Sequence, residues 1–145
     1  MSSPITITLL GEPKGKGRGR ATVSKKTGRA FVYTPAATVS YEASLKHAAS
    51  KEMGARPPFD KAVSVEVTAQ FLPPRSWSQK KQQAALRGEV FPTVRPDLDN
   101  AVKAIFDAFN KVVWRDDALV VRATVQKRYG TQAFVVVTAR EIASP

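Results

Sequence analysis

Asp97-Leu98-Asp99-Asn100, then Lys103, then Asp116-Asp117 place two pairs of carboxylates on either side of one lysine. Carboxylates held close together bind hard divalent cations through oxygen, and a bound cation can activate water beside a phosphate. Asp97 and Asp99 fall on the same side of an extended segment, with Leu98 turned towards the core. Arg95-Pro96 keeps the chain extended before them, since proline disfavours helix in its predecessor. A helix is expected to begin near Asp99 or Asn100, because Leu98, Val102, Ile105, Phe109 and Val112 form one apolar stripe. Lys103 lies off that stripe, four residues after Asp99, so the two are neighbours on one exposed face. A turn at Trp114-Arg115-Asp116 lets the next strand run back beside the helix, which could bring Asp117 to Asp97 and Asp99.

Each part has an ordinary explanation. Asp-x-Asp before a helix can be a cap that complements the helix dipole. Asp99 and Lys103 can be a surface ion pair worth about 0.3–0.5 kcal/mol. Asp116-Asp117 can be a turn before a strand. The surrounding charge changes the balance. The chain carries 23 Lys and Arg against 12 Asp and Glu, a formal net charge of +11, which points to a polyanionic partner. Yet five of those 12 acids, Asp97, Asp99, Asp107, Asp116 and Asp117, fall within positions 97–117. Carboxylates at a phosphate-binding surface weaken binding unless a cation neutralises them. The cluster is unexpected in a pure nucleic-acid binder and expected in a metal-dependent nuclease. Asp107 points towards the far side of the helix and reads as merely solvated.

Composition removes several alternatives. There is no cysteine and one histidine, His47, so disulfides, thiolate zinc sites and multi-histidine sites within one chain are excluded. Carboxylate ligation favours magnesium, calcium or manganese. No apolar run approaches ~18 residues, and the first residues lack signal-peptide character, so a cytoplasmic protein with no membrane partner is expected. An Asp-x-Asp that binds a metal-nucleotide is weakened by the absence of a Gly-Lys-Ser/Thr phosphate loop.

The cations have their own organisation. Lys14, Lys16, Arg18, Arg20, Lys25, Lys26 and Arg29 form an unbroken positive run, and glycines at 11, 15, 17, 19 and 28 make it loop-like and able to approach a phosphate closely. Lys80 and Lys81 lie on a short polar helix, expected from about Trp77 to Arg87 and capped by Ser76. These nine residues are the expected nucleic-acid contacts. Trp77 could stack on a base, although a tryptophan at a helix start more often packs on the core.

The remaining elements must position these groups. Alternation over Ile5–Leu9 and the run 30–33 predict short strands, and helical spacing predicts a helix over 36–53, ended by Gly54. His47 lies in that helix and has no catalytic role. Val63, Val65, Val67, Ala69 and Phe71 alternate with polar residues, which predicts a strand over 62–71. Strands over 118–128 and 133–140, joined by a turn at 129–132, read as an antiparallel pair. The fold class is α/β (α+β): one domain over residues 1–145, with a mixed, mostly antiparallel sheet and two to three helices.

Arg95-Pro96-Asp97-Leu98-Asp99-Asn100, Lys103, Phe106-Asp107-Ala108 and Trp114-Arg115-Asp116-Asp117 resemble the signature of RusA-type Holliday junction resolvases. Upstream, Gly17-Arg18-Gly19-Arg20, Tyr33-Thr34-Pro35, Thr38 and Tyr41-Glu42 resemble the N-terminal part of phage-type members. The resemblance implies a homodimer that cleaves four-way or other branched DNA junctions with Mg2+ or Mn2+. It implies metal ligands at Asp97, Asp99 and Asp117 and an essential lysine at Lys103, with Asp116 as a possible helper. In that mechanism the carboxylates hold one or two ions, Lys103 stabilises charge developing on the phosphate or orients water, and a two-fold dimer makes paired nicks. The rival is a non-catalytic basic nucleic-acid-binding protein.

Overall fold

The period-two run at 63–71 forms the strand around which the rest is arranged. Its residues Val63, Val65, Val67, Ala69 and Phe71 are all buried, as the alternation requires. The computed structural model describes residues 3–16, 20–33 and 36–143, without the side chains of Arg20, Ala21, Phe31 and Tyr33. In chain order the elements are β1 (Ile5–Leu10), β2 (Arg20–Val23), β3 (Ala30–Tyr33), α1 (Ala36–Met53), β4 (Val63–Phe71), α2 (Gln79–Leu86), α3 (Leu98–Phe109), a 3-10 turn (Asp117–Leu119), β5 (Val120–Tyr129) and β6 (Phe134–Glu141). Three helices and a four-stranded mixed sheet make this an α+β domain, as expected. The sheet order is β1-β6-β4-β5, with β1–β6 and β4–β6 antiparallel and β4–β5 parallel. α1 packs against β1 and α3. One apolar core runs from Ile7 and Leu45 through Val65, Val67 and Val137 to Ile105, Phe109 and Trp114. Among the described residues no helix is long and apolar enough to cross a membrane.

Four local expectations are corrected. β5 and β6 are not partners: β4 lies between them. Residues 130–133 cross the end of β4, where Gly130 N–H donates to the Phe71 carbonyl (2.9 Å) and Gln70 Nε2 donates to the Gln132 carbonyl (2.7 Å). A Cβ at Gly130 would stand 2.2 Å from the Gln70 amide, so any larger residue there would displace the Gln70 side chain that spans the crossing. A simple hairpin would leave one side of buried β4 without a ladder, and its backbone polar groups need both. Secondly, part of the basic stretch 14–29 is not loop: Arg20–Val23 pairs with Ala30–Tyr33 in a separate two-stranded sheet.

Thirdly, α2 is capped by Ser78, whose hydroxyl accepts from Lys81 N–H at 3.2 Å, and not by Ser76. Trp77 is held in a turn by its N–H to the Pro74 carbonyl (3.1 Å), and its ring meets Tyr129 edge-on, so the chain enters the helix after it. Finally, α3 starts at Leu98 and buries Ala101, Ala104, Ile105, Ala108 and Phe109, while Leu98 stays 45% exposed. The first turn of α3 overhangs the core, and small alanines allow the later turns to approach it closely.

Candidate active site

α3 carries the site. Asp97 occupies its N-cap position and Asp99 its first turn, where the positive end of the helix dipole favours carboxylates. The Asp97 side chain nevertheless makes no capping hydrogen bond. Asp99 and Lys103 are both exposed, and no ion pair joins them among the described residues. Two of the ordinary explanations for these carboxylates therefore fail: they neither cap the helix through their side chains nor pair with the lysine one turn on.

Asp116 and Asp117 stand at the start of the 3-10 turn that follows α3. Here the ordinary explanation holds for one residue and frees the other. Asp116 Oδ1 accepts from Ala118 N–H at 3.1 Å, and that bond holds its carboxyl below the usual carboxylate range. Asp117 is pushed above it, first by desolvation and then by the adjacent Asp116, while Asn110 acts in the opposite sense. The two carboxylates therefore compete for charge, a tension that a bound cation would relieve.

Asn110 was not singled out by residue spacing, and the structure gives it a role. Trp114 is fully buried, and its indole N–H donates to Asn110 Oδ1 at 3.0 Å. An indole can only donate, so the Asn110 oxygen must face the tryptophan and its NH2 is left to face Asp117. Trp114 is itself clasped edge-on by Phe106 and Phe109 of α3. The chain segment that delivers Asp116 and Asp117 is thus fixed to the C-terminal end of α3.

Two further residues fix the N-terminal end. Lys127 lies on the inner face of β5, and its Nζ donates to the carbonyls of Val94 and Pro96, the latter at 3.1 Å. This holds the segment leading into Asp97. Lys16 Nζ reaches Glu42 Oε1 (2.6 Å) and Asp107 Oδ2 (3.0 Å), and its N–H donates to the Asn100 carbonyl (3.0 Å). A Cβ at Gly15 would come within 2.9 Å of Asn100 and Pro96, so the basic loop lies directly against the start of α3. Asp107, expected to be merely solvated, is an ion-pair partner of that loop.

The other predicted contacts divide. Lys14, Lys25, Lys26, Arg29 and Lys80 are exposed. Lys16 is engaged as described, and its ion pairs raise its pKa despite partial burial. The Lys81 ammonium sits 3.9 Å from the Trp77 ring centroid, which covers that ring and favours packing over base stacking. Arg18 lies outside the described residues, as does the Arg20 side chain. The turn after α3 does not bring Asp117 to Asp97 and Asp99 as expected: Asp97 and Asp99 stand at the start of the 12-residue helix and Asp117 beyond its end, and among the described residues no three acidic or histidine side chains gather closely enough to hold a metal ion. Their chemistry fits a hard divalent cation: all-oxygen donors, with no described cation paired to Asp97 or Asp99.

Lys127→Met tests the positioning of this end. It is expected to retain the fold with a loss of about 1–2 kcal/mol, because two carbonyls lose a charged donor. If Asp97 serves in metal-dependent cleavage, its displacement should also slow that reaction about tenfold, a shift of roughly 1.4 kcal/mol in barrier. Thermal unfolding and single-turnover cleavage measure the two effects separately.

Comparison with known proteins assigns the chain to a family. The family model described as Endodeoxyribonuclease RusA matches residues 11–140. The chain is also 33% identical over 144 residues to the uncharacterized protein YqaN of Bacillus subtilis (strain 168), covering 97% of this chain and 98% of that one. The match spans the basic loop, α3 and the Asp116–Asp117 turn together, and on that extent the chain belongs to the RusA endodeoxyribonuclease family.

Proposed function

We propose that this protein is a divalent-metal-dependent endonuclease that cuts four-way or other branched DNA junctions by paired nicks. One observation carries the reading. Asp97 and Asp99 project from the start of α3 with no capping bond and no described cationic partner, in a chain of net charge +11. Carboxylates left free on so basic a surface make sense where a metal ion and a phosphate meet.

In this reading Asp97 and Asp99 hold Mg2+ or Mn2+ at the start of α3, and Asp117, which stands at the other end of that helix, would have to be drawn towards them to complete the set. The bound ion would lower the pKa of water and polarise the scissile phosphate. Asp116 fixes the 3-10 turn, and Asn110 orients Asp117. Lys103, exposed one turn after Asp99, offers positive charge to the pentacovalent phosphorus. Lys14, Lys25, Lys26, Arg29 and Lys80 grip backbone phosphates, and Lys16 holds their loop against α3. A homodimer with two-fold symmetry would present two such sites to the two strands of a junction. β5 suits self-association because it pairs with β4 on one side only among the described strands and exposes Val121.

The test uses labelled four-way junction, linear duplex and single strand, each with magnesium, manganese or chelator. Symmetric nicks in the junction, dependent on metal, are expected. If DNA is bound but no substrate is cut with either metal, the protein is a basic binder and the nuclease reading falls. Sedimentation that finds only monomer, with and without junction DNA, would remove the dimer.

A further inference from the structure

Next to Arg115, which leads into the turn that carries Asp116 and Asp117, lies an open cleft of about 840 Å³. Arg56, Lys61, Lys111 and Arg115 line it, together with Asp60 and Glu141. We infer that this cleft binds the sugar–phosphate backbone of DNA next to the cleaved bond, through Lys61, Lys111 and Arg115. The inference rests on the nuclease reading above and assigns contacts beyond the basic loop and α2.

Three observations support it. First, the cations outnumber the acids, and Lys61, Lys111 and Arg115 form no ion pair among the described residues, although Asp60 and Glu141 line the same cleft. Charges left unneutralised in a concave surface focus a positive potential, which draws in a polyanion. Arg56 is the exception: it donates to the Ser3 carbonyl (2.6 Å) and lies over the Phe59 ring, so it shapes the wall.

Second, the cleft is rigid where the cations stand. Phe59 N–H donates to the Val113 carbonyl (2.8 Å), and Arg115 N–H donates to the Phe59 carbonyl (3.0 Å). Lys111 has φ of 66° and is held there by its N–H bond to the Trp114 carbonyl (2.7 Å). A lysine in the left-handed region is strained, since glycine or asparagine would adopt it more easily. Such strain persists where the surroundings impose it, and it tends to mark functional sites.

Third, the cleft and the site share one segment. Arg115 directly precedes Asp116, and Lys111 lies in the short segment that leads from the end of α3 to it. A strand whose scissile phosphate lies at the carboxylates would continue over the wall formed by Lys111 and Arg115. Backbone contacts of this kind set register without reading sequence.

The experiment measures equilibrium binding of a fluorescent four-way junction in chelator, over a series of salt concentrations, for wild type, Arg115→Gln and Lys61→Gln. Both side chains are exposed, and Lys61 makes no side-chain hydrogen bond among the described residues, so Lys61→Gln should fold as wild type. Arg140→Gln, an equal charge loss at an exposed position on the opposite face of the sheet, is the control. Each cleft variant should bind several-fold more weakly and flatten the plot of log affinity against log salt by about 0.9 per lost contact. Arg140→Gln should leave both nearly unchanged. Cleft variants that match Arg140→Gln in affinity and slope, while wild type still binds and cuts junctions, would overturn the cleft and spare the nuclease reading. Wild type that fails to bind junction DNA would overturn both.

Discussion

Asp99→Asn should lower the single-turnover rate of junction cleavage by about 10³-fold, roughly 4 kcal/mol of barrier, while leaving junction affinity equal or higher. The two effects have opposite signs for one reason. The exposed carboxylate in the first turn of α3 has no described cationic partner, so in chelator it simply repels phosphate. Asparagine keeps the shape and an oxygen but loses the charge that would hold a cation. Folding should be little changed, because Asp99 makes no described hydrogen bond whose loss would matter. Cleavage and binding are measured on the same preparation, the first with magnesium and the second with chelator. Normal cutting by the variant would remove Asp99 from the site. Unchanged cutting together with weaker binding would point to a structural role at the helix start.

Trp114→Ala should have the largest effect on stability, a loss of about 3–5 kcal/mol. For a chain of 145 residues that corresponds to a fall of roughly 10–15 °C in Tm. Trp114 is fully buried between Phe106 and Phe109, so truncation leaves a cavity where the end of α3 meets the turn. Trp114→Phe separates packing from polarity. The ring is largely replaced, but Asn110 Oδ1 loses its donor, at a cost of about 1 kcal/mol. Its amide is then free to rotate and present oxygen to Asp117. Trp114→Phe should therefore stay folded at assay temperature and still cut more slowly than wild type. Full activity in that variant would show that the indole N–H does not position Asp117 through Asn110.

The basic surface and the carboxylate cluster meet through contacts that spacing does not reveal. Lys16 belongs to the unbroken positive run and looks like one more phosphate contact. Its reach to Glu42 and Asp107 makes it the residue that fixes the run beside α3. The same contact explains Asp107, whose place on the far side of the helix from the apolar stripe gave no hint of a partner from another loop. Lys127 is similar: on an inward-facing position of an otherwise alternating strand it breaks the pattern, and that break was the available signal of a special contact.

The sequence by itself determined most of the elements and narrowed the chemistry. The alternating valines of β4, the helical spacing and glycine stop of α1, and the apolar positions of α3 are local patterns, and local patterns are what period and propensity encode. The absence of cysteine, the single histidine and the net charge of +11 restricted the chemistry to carboxylates and a polyanion before any fold was known. Tertiary structure decided what depends on distant partners. The insertion of β4 between β5 and β6 is one case, because a four-residue connection looks like a hairpin until the buried strand's need for two ladders is met. The division between Asp116 and Asp117 is the other. Adjacent aspartates are identical on paper, and only the bond from Ala118 to one and the desolvation of the other tell them apart.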